Sequence, residues 1–168
     1  MSSSWYPRAE TAADLAAVEA VNLRAFGRPD EAAIVSRLRR DPVAWLPGLS
    51  YVATTATGEV VAHALLTRCH VDDAPVLALG PCAVLPEYQR SGAGGAVVRA
   101  VLDAGRAAGE HTVVVLGHAE YYPRFGFRTA TTFGIHSQYD GPYFMALGLV
   151  PDRPLPRGTI RYPAAWQQ

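Results

Sequence analysis

Three glycines fall within four positions in the run Gln89-Arg90-Ser91-Gly92-Ala93-Gly94-Gly95-Ala96. Behind it lies a short apolar segment, Val76 to Val84, that reads as a strand; ahead of it lies a helical pattern. Small residues where strand gives way to helix let the backbone come very close to another group. The N–H groups at the start of the following helix have no intrahelical partner and favour an anion. The turn is therefore expected to hold a pyrophosphate.

Three phosphate-binding patterns compete for it. A Walker loop needs a lysine, and all fifteen basic residues of this chain are arginine. A dinucleotide fingerprint needs a third glycine where Val97 stands, and an acid at the end of the next strand, where Leu116-Gly117 stand. The pattern [QR]-x-x-G-x-[GA] is met by Gln89, Gly92 and Gly94.

Composition narrows the remainder. At 168 residues the chain is expected to form one domain, 1–168, burying about 70% of its unfolded surface. Residues 149–168 read as a proline-rich extension with a possible edge strand at Thr159 to Tyr162. The formal net charge is zero, so no general attraction to nucleic acid or anionic lipid is encoded. No apolar run approaches the roughly 20 residues of a membrane span. Met1 to Tyr6 lack the basic start and apolar core of a signal peptide, and a cytoplasmic location is expected. No His/Cys/carboxylate cluster has metal-ligand spacing. A hairpin turn over Asp72-Asp73-Ala74-Pro75 would set Cys69 near Ala78 and Cys82 near Leu65, so the two thiols are expected to be reduced and packed.

Along the chain, Trp5 to Arg8 suggests a first strand. Thr11 with Asp14 reads as a capping box opening a helix that ends near Gly27. Pro29-Asp30-Glu31 opens a second helix, whose Arg37, Arg39 and Arg40 read as a solvated basic end. Leu49 to Thr55, Val60 to His70 and Val76 to Val84 form an expected antiparallel meander. Val97, Val98, Val101, Leu102 and Gly105 mark a third helix, and Val113 to Leu116 a buried strand. A crossover through one helix makes Val76–Val84 and Val113–Leu116 parallel neighbours. Glu120 to Phe125 reads as a short helix, and Phe127 to Thr132 and Tyr143 to Leu147 as later strands. The fold class is α/β, one mixed sheet with helices on both faces.

Val84 to Arg90, followed about thirty residues on by Tyr121-Tyr122-Pro123-Arg124-Phe125-Gly126-Phe127, resembles the GNAT superfamily of N-acetyltransferases. The stretch Leu116 to Phe127 resembles a bacterial subgroup of it. The resemblance implies acetyl-CoA as cosubstrate, bound where two parallel central strands splay apart. It implies that Cys82, Ala83 and Val84 pair with the pantetheine arm. Gln89 and the backbone of Arg90, Ser91, Gly92, Ala93, Gly94, Gly95 and Ala96 would take the pyrophosphate, and side chains larger than alanine at Gly92 or Gly94 would displace it. His118, Tyr121 and Arg124 fall beside the cofactor, His118 touching its arm or capping the short helix. By motif position Tyr122 is the general acid, against the alternative of a tyrosine packed under the cofactor.

The acyl acceptor implied is a small-molecule amine, attacking directly, with the protein a monomer or homodimer. An acyl-CoA sensor without turnover and a protein N-acetyltransferase are the alternatives. Many members of the superfamily carry a carboxylate on a splayed strand; here neither strand has one. Glu87, His63, His70 and His118 are the nearby candidates for a base, and the role stays unassigned. Arg24 to Asp30 and Thr131 to Tyr143 are expected to roof the acceptor, with Phe26, Phe133, His136, Tyr139 and Tyr143 giving an aromatic character.

Overall fold

The computed structural model describes residues 4–167, and the part of the signal-peptide reading that rests on Met1, Ser2 and Ser3 lies outside them. Strand β1 (Tyr6–Ala9) leads into α1 (Leu15–Phe26) and α2 (Asp30–Arg39). Strands β2 (Trp45–Thr54), β3 (Val60–Val71) and β4 (Ala74–Val84) form the meander; α3 (Ala93–Ala107) then crosses to β5 (Thr112–Leu116). Short strands β6 (Arg128–Thr129) and β7 (Ile135–His136) precede β8 (Phe144–Gly148) and β9 (Gly158–Arg161). The sheet order is β1-β2-β3-β4-β5-β8-β6, with β9 pairing both β3 and β7. Among the described residues only β4–β5 and β7–β9 are parallel, so this is the expected mixed sheet. Among the described residues, no helix is long and apolar enough to cross a membrane.

The central strands β3, β4 and β5 are buried on both faces. Val97, Val98, Val101 and Leu102 of α3 pack in one cluster with Leu77, Leu79, Val113, Val115 and Met145. Gly105 brings the helix close, since a Cβ there would meet Leu66 Cδ1 at 3.2 Å. Alternate residues of the same strands, Val76, Ala78, Val114 and Phe144, pack with Ile135 and Ile160. Val18 of α1 and Val35 and Leu38 of α2 cover Val52, Leu65 and Ala165.

At the start of α1, Asp14 accepts the Thr11 N–H at 2.7 Å and both Arg8 Nη groups at 2.7 and 3.0 Å. The Arg8 guanidinium holds the Asp14 carboxyl down at about 2. The basic end of α2 is knitted into the fold rather than merely solvated. Arg39 pairs with Glu10 and stacks 4.6 Å over Trp45, while Arg37 Nε donates to the Ala165 carbonyl at 3.1 Å. Guanidinium groups find planar partners of both kinds, which periodicity alone does not reveal.

The hairpin between β3 and β4 is tighter than expected. Asp72 takes a φ of 50° and Val71 pairs with Ala74, so the turn is Asp72-Asp73 alone. Cys69 therefore faces Val76, and Cys82 faces Ala64. Both cysteines are free, as expected. Strand β2 starts four residues before Leu49, at Trp45, with an irregularity between Trp45 and Ser50. Beyond Thr129, the expected strand through Thr132 turns instead into a 3-10 helix, Ala130–Phe133, closed by Gly134 at φ 78°.

One irregularity shapes the site. Leu79 faces Leu66 and Cys82 faces Ala64, so Gly80 and Pro81 together stand against Leu65. Pairing between β4 and β5 runs only from Leu77–Val113 to Leu79–Val115 and ends at this bulge. Pro81 has no N–H to offer a ladder, and Gly80 has a φ of 140°. Beyond them the two parallel strands part.

Candidate active site

Two concavities open where β4 and β5 part. The first, about 890 Å³, lies between the end of β4, the glycine turn and the segment after β5. Of the residues expected there, Cys82, Ala83, Val84, Gln89, Arg90, Gly92, Gly94, Gly95, His118, Tyr121, Tyr122 and Arg124 line it. Ser91 is turned to neighbouring chain: its Oγ bonds the Tyr88 carbonyl, and its carbonyl accepts Trp5 Nε1 at 3.0 Å. Ala93 is buried at the first turn of α3, and the Ala96 N–H is already given to Gly92 O at 3.0 Å. The N–H groups of the first helical turn before Ala96 are the ones the helix leaves free for an anion. Arg99, which the sequence reading did not select, also lines the cleft. It lies one turn beyond Gly95, and i, i+4 spacing was the available signal.

Backbone geometry explains the glycines. Gly92 caps α3 at φ 92°, where any side chain is strained. At Gly94 the limit is space: a Cβ would lie 3.1 Å from Tyr121 Oη and 3.2 Å from Val84 Cγ2. Crowding there already begins with alanine.

The second concavity, about 780 Å³, lies on the other side of the split. Phe26 and Tyr139 line it as expected of the roof, but Phe133, His136 and Tyr143 do not. Phe133 packs beneath the sheet, His136 bonds Asp140 at 3.1 Å, and Tyr143 is exposed. Glu31, Tyr162 and Trp166 line it unforeseen. Glu31 read as a first-turn helix acid, and the tail aromatics belonged to an extension with no assigned role. Trp166 reaches the bulge: its ring lies 3.5 Å from where a Gly80 Cβ would stand.

Four residues line both concavities: Phe26, Cys82, His118 and Tyr122. Tyr121 lines only the first, held by Arg124 stacked 4.3 Å over its ring and bonded to its carbonyl at 2.8 Å. Tyr122 packs edge-on to Tyr121 at 5.1 Å and to Phe127 at 6.0 Å. Its ring lies against Gly117, where a Cβ would fall 2.4 Å from Tyr122 Cε2. The Cys82 sulfur, which when ionised would repel a phenolate, and burial together push the Tyr122 hydroxyl far up, so it stays protonated. Burial pushes the Cys82 thiol up to about 12. Both groups at the split are thus neutral proton carriers at pH 7.

The other candidate bases lie elsewhere. Glu87 is exposed and paired to Arg24 at 2.7 Å, outside both concavities. His63 is fully buried between Asn22 and Ser50, and His70 pairs with Arg161 at the far end of β3. Of the four, His118 alone reaches the split; its backbone carbonyl accepts the Tyr121 and Tyr122 N–H groups at 3.1 and 3.3 Å. Among the described residues no group of three His, Cys, Asp or Glu could hold a metal ion.

The chain is similar over all its length to the GNAT family N-acetyltransferase YhbS from Escherichia coli, solved in complex with CoA. Identity is 25%, coverage of that chain 94% and the TM-score 0.89. A GNAT family acetyltransferase from Brucella melitensis, solved in complex with acetyl-CoA, is 32% identical over 97% of this chain and 98% of that one, with a TM-score of 0.79. The uncharacterized N-acetyltransferase YjhQ of Escherichia coli (strain K12) is 43% identical over 118 residues, 68% of this chain. That match spans 64% of the length of YjhQ. The model of the acetyltransferase (GNAT) family matches residues 17–127, from the first helix to the end of the tyrosine motif, and the chain belongs to that family.

Proposed function

We propose that this protein transfers the acetyl group of acetyl-CoA to the amine of a small molecule by direct attack. The observation that carries this reading is the pair of concavities meeting at Tyr122, Cys82, His118 and Phe26 across the parted strands. The first, lined by Arg90, Arg99 and Arg124, suits the phosphates of coenzyme A; the second suits an acceptor. The run Tyr121 to Phe127 is proposed to mark a bacterial subgroup of the family.

The chemistry follows from these positions. A neutral amine attacks the thioester carbonyl, forming an N–C bond and a tetrahedral adduct. As the C–S bond breaks, the Tyr122 hydroxyl gives its proton to the departing sulfur, because a thiol leaves more readily than a thiolate. The nitrogen loses one proton, which returns through solvent to Tyr122; exposed His118 lies on that route. The pantetheine arm is proposed to lie along the unpaired edge of β4 at Cys82 to Val84. Tyr162 and Trp166 wall the acceptor side, which supports a small acceptor over a protein terminus.

Incubation with acetyl-CoA and a panel of amines is expected to release free thiol, read with a chromogenic disulfide. Coenzyme A binding without release for any amine or peptide would overturn the transfer reading.

Two variants probe the geometry. Gly117→Ala is expected to lower kcat about tenfold while leaving acetyl-CoA affinity within about threefold, since the added methyl displaces the Tyr122 ring. Gly94→Val is expected to weaken coenzyme A binding about 10- to 100-fold by calorimetry, through overpacking against Tyr121 and Val84.

A further inference from the structure

The two concavities differ in charge. Arg90, Arg99 and Arg124 line the first, whereas none of the chain's fifteen arginines lines the second. The second has one carboxylate, Glu31 on α2, amid the rings of Phe26, Tyr139, Tyr162 and Trp166. These come from separate parts of the chain: the end of α1, the loop before β8, and the tail around β9. The Tyr162 and Trp166 rings sit 6.2 Å apart at 54°, offering two inclined faces.

We propose that the acceptor is a small monoamine with an apolar or aromatic body and no carboxylate or phosphate, and that Glu31 holds its ammonium on entry, before that ammonium gives one proton to solvent and attacks as the neutral amine. This inference rests on the acetyltransferase reading of the same site. Aromatic faces attract an ammonium and take up an apolar body. A substrate carboxylate or phosphate would be desolvated beside the Glu31 carboxylate, and the one guanidinium there, Arg28, is outside the lining and already held by Glu31. A polycationic acceptor would bring several ammonium groups to one carboxylate.

Glu31 already holds Arg28, whose Nε donates to Oε1 at 2.9 Å. The Glu31 side chain is 13% exposed and that of Arg28 is 59% exposed. Arg28 lies outside the pocket lining, on the solvent side of the pair, so an entering ammonium competes with a cation that water can take back. The competition gives two substitutions opposite signs. Glu31→Gln removes the counter-charge and is expected to weaken amine binding about tenfold; Arg28→Ala frees Glu31 and is expected to tighten it about threefold.

The experiment is calorimetric titration of the coenzyme A-loaded protein with phenethylamine, hexylamine, phenylalanine, 3-phenylpropionate and spermidine. Phenethylamine or hexylamine is expected to bind at least tenfold tighter than phenylalanine or spermidine, with no measurable binding of 3-phenylpropionate. Coenzyme A affinity in Glu31→Gln, kept near that of the parent, checks its folding, and Glu31→Asp should fall between parent and Glu31→Gln. The inference is overturned if neither monoamine binds, if phenylalanine or spermidine binds tighter than both, or if Glu31→Gln binds the monoamine unchanged. Monoamine binding without thiol release from acetyl-CoA would sink the transfer reading while leaving the pocket's selectivity standing. Thiol release with amino acids or peptides alone would do the reverse.

Discussion

Tyr122→Phe is expected to lower kcat about 1000-fold while the Kd for acetyl-CoA changes less than about threefold, the range for losing a positioned proton donor. Tyr122 is the tyrosine that lines both sides of the split, and its ring is fixed by Gly117, Tyr121 and Phe127. Removing the hydroxyl leaves that packing in place. Tyr121→Phe should instead act on the KM for acetyl-CoA, because Tyr121 lines only the cofactor side. The Cys82 sulfur and burial raise Tyr122, so its acid form persists above pH 10. The kcat profile of the parent should therefore show no alkaline fall between pH 8 and 10. A loss below tenfold in Tyr122→Phe would make Tyr122 a packing residue and move the acid elsewhere.

The elements around this tyrosine were legible to different degrees. The glycine turn, the meander and the parallel pairing of β4 with β5 follow from local composition and from the crossover rule, and all three are present. The place where the strands part did not follow. Gly80 and Pro81 sit inside an apolar run that reads as one strand, and only the shift of partner from Leu66 to Ala64 reveals the bulge. The Asp72-Asp73 turn was read two residues too long because Asp72 takes a positive φ that the sequence leaves open to several turn types. Thr131 and Thr132 carry β propensity but lie in a 3-10 turn ended by Gly134, a case of tertiary context overriding local preference. Glu31 and Trp166 were missed for a different reason. Each has a sufficient local explanation, as a helix opener and as a tail residue, and their meeting depends on contacts across about 135 positions of chain. Spacing rules reach one helix face or one hairpin, not the assembly of a pocket wall.

Lowering the pH from 6.5 to 4 is expected to cost the folded protein about 3 kcal/mol through His63 alone. This histidine is completely buried on β3, opposite Ala83 of the proposed pantetheine edge. Asn22 of α1 donates Nδ2 to the Val18 carbonyl at 3.0 Å and lies 3.2 Å from His63 Nδ1, making that nitrogen the acceptor. Nε2 then carries the proton and donates to Ser50 Oγ at 2.9 Å, and Ser50 passes its own hydrogen to Glu10, which Arg39 holds. Burial lowers His63 to about 4; Glu10, 3.8 Å away, raises it in part, and Arg39 opposes that. The sign is fixed by the unfolded chain, which protonates near 6.5 while the folded chain does not. Stability is therefore intact above pH 6.5, falls as the pH drops toward 4, and levels off for this group below that. Asp14, held at about 2 by Arg8, loses its contribution only below its ordinary carboxylate range, so its effect is separable. His111 is also lowered, by burial first, and adds a slope of the same sign. Urea unfolding at intervals between pH 7 and 4 measures the combined slope, and His63→Gln should remove most of it. Coenzyme A affinity should fall over the same interval in the parent, because α1 and β4 meet β3 at this residue. An unchanged slope in His63→Gln would show that the buried network does not carry the acid response.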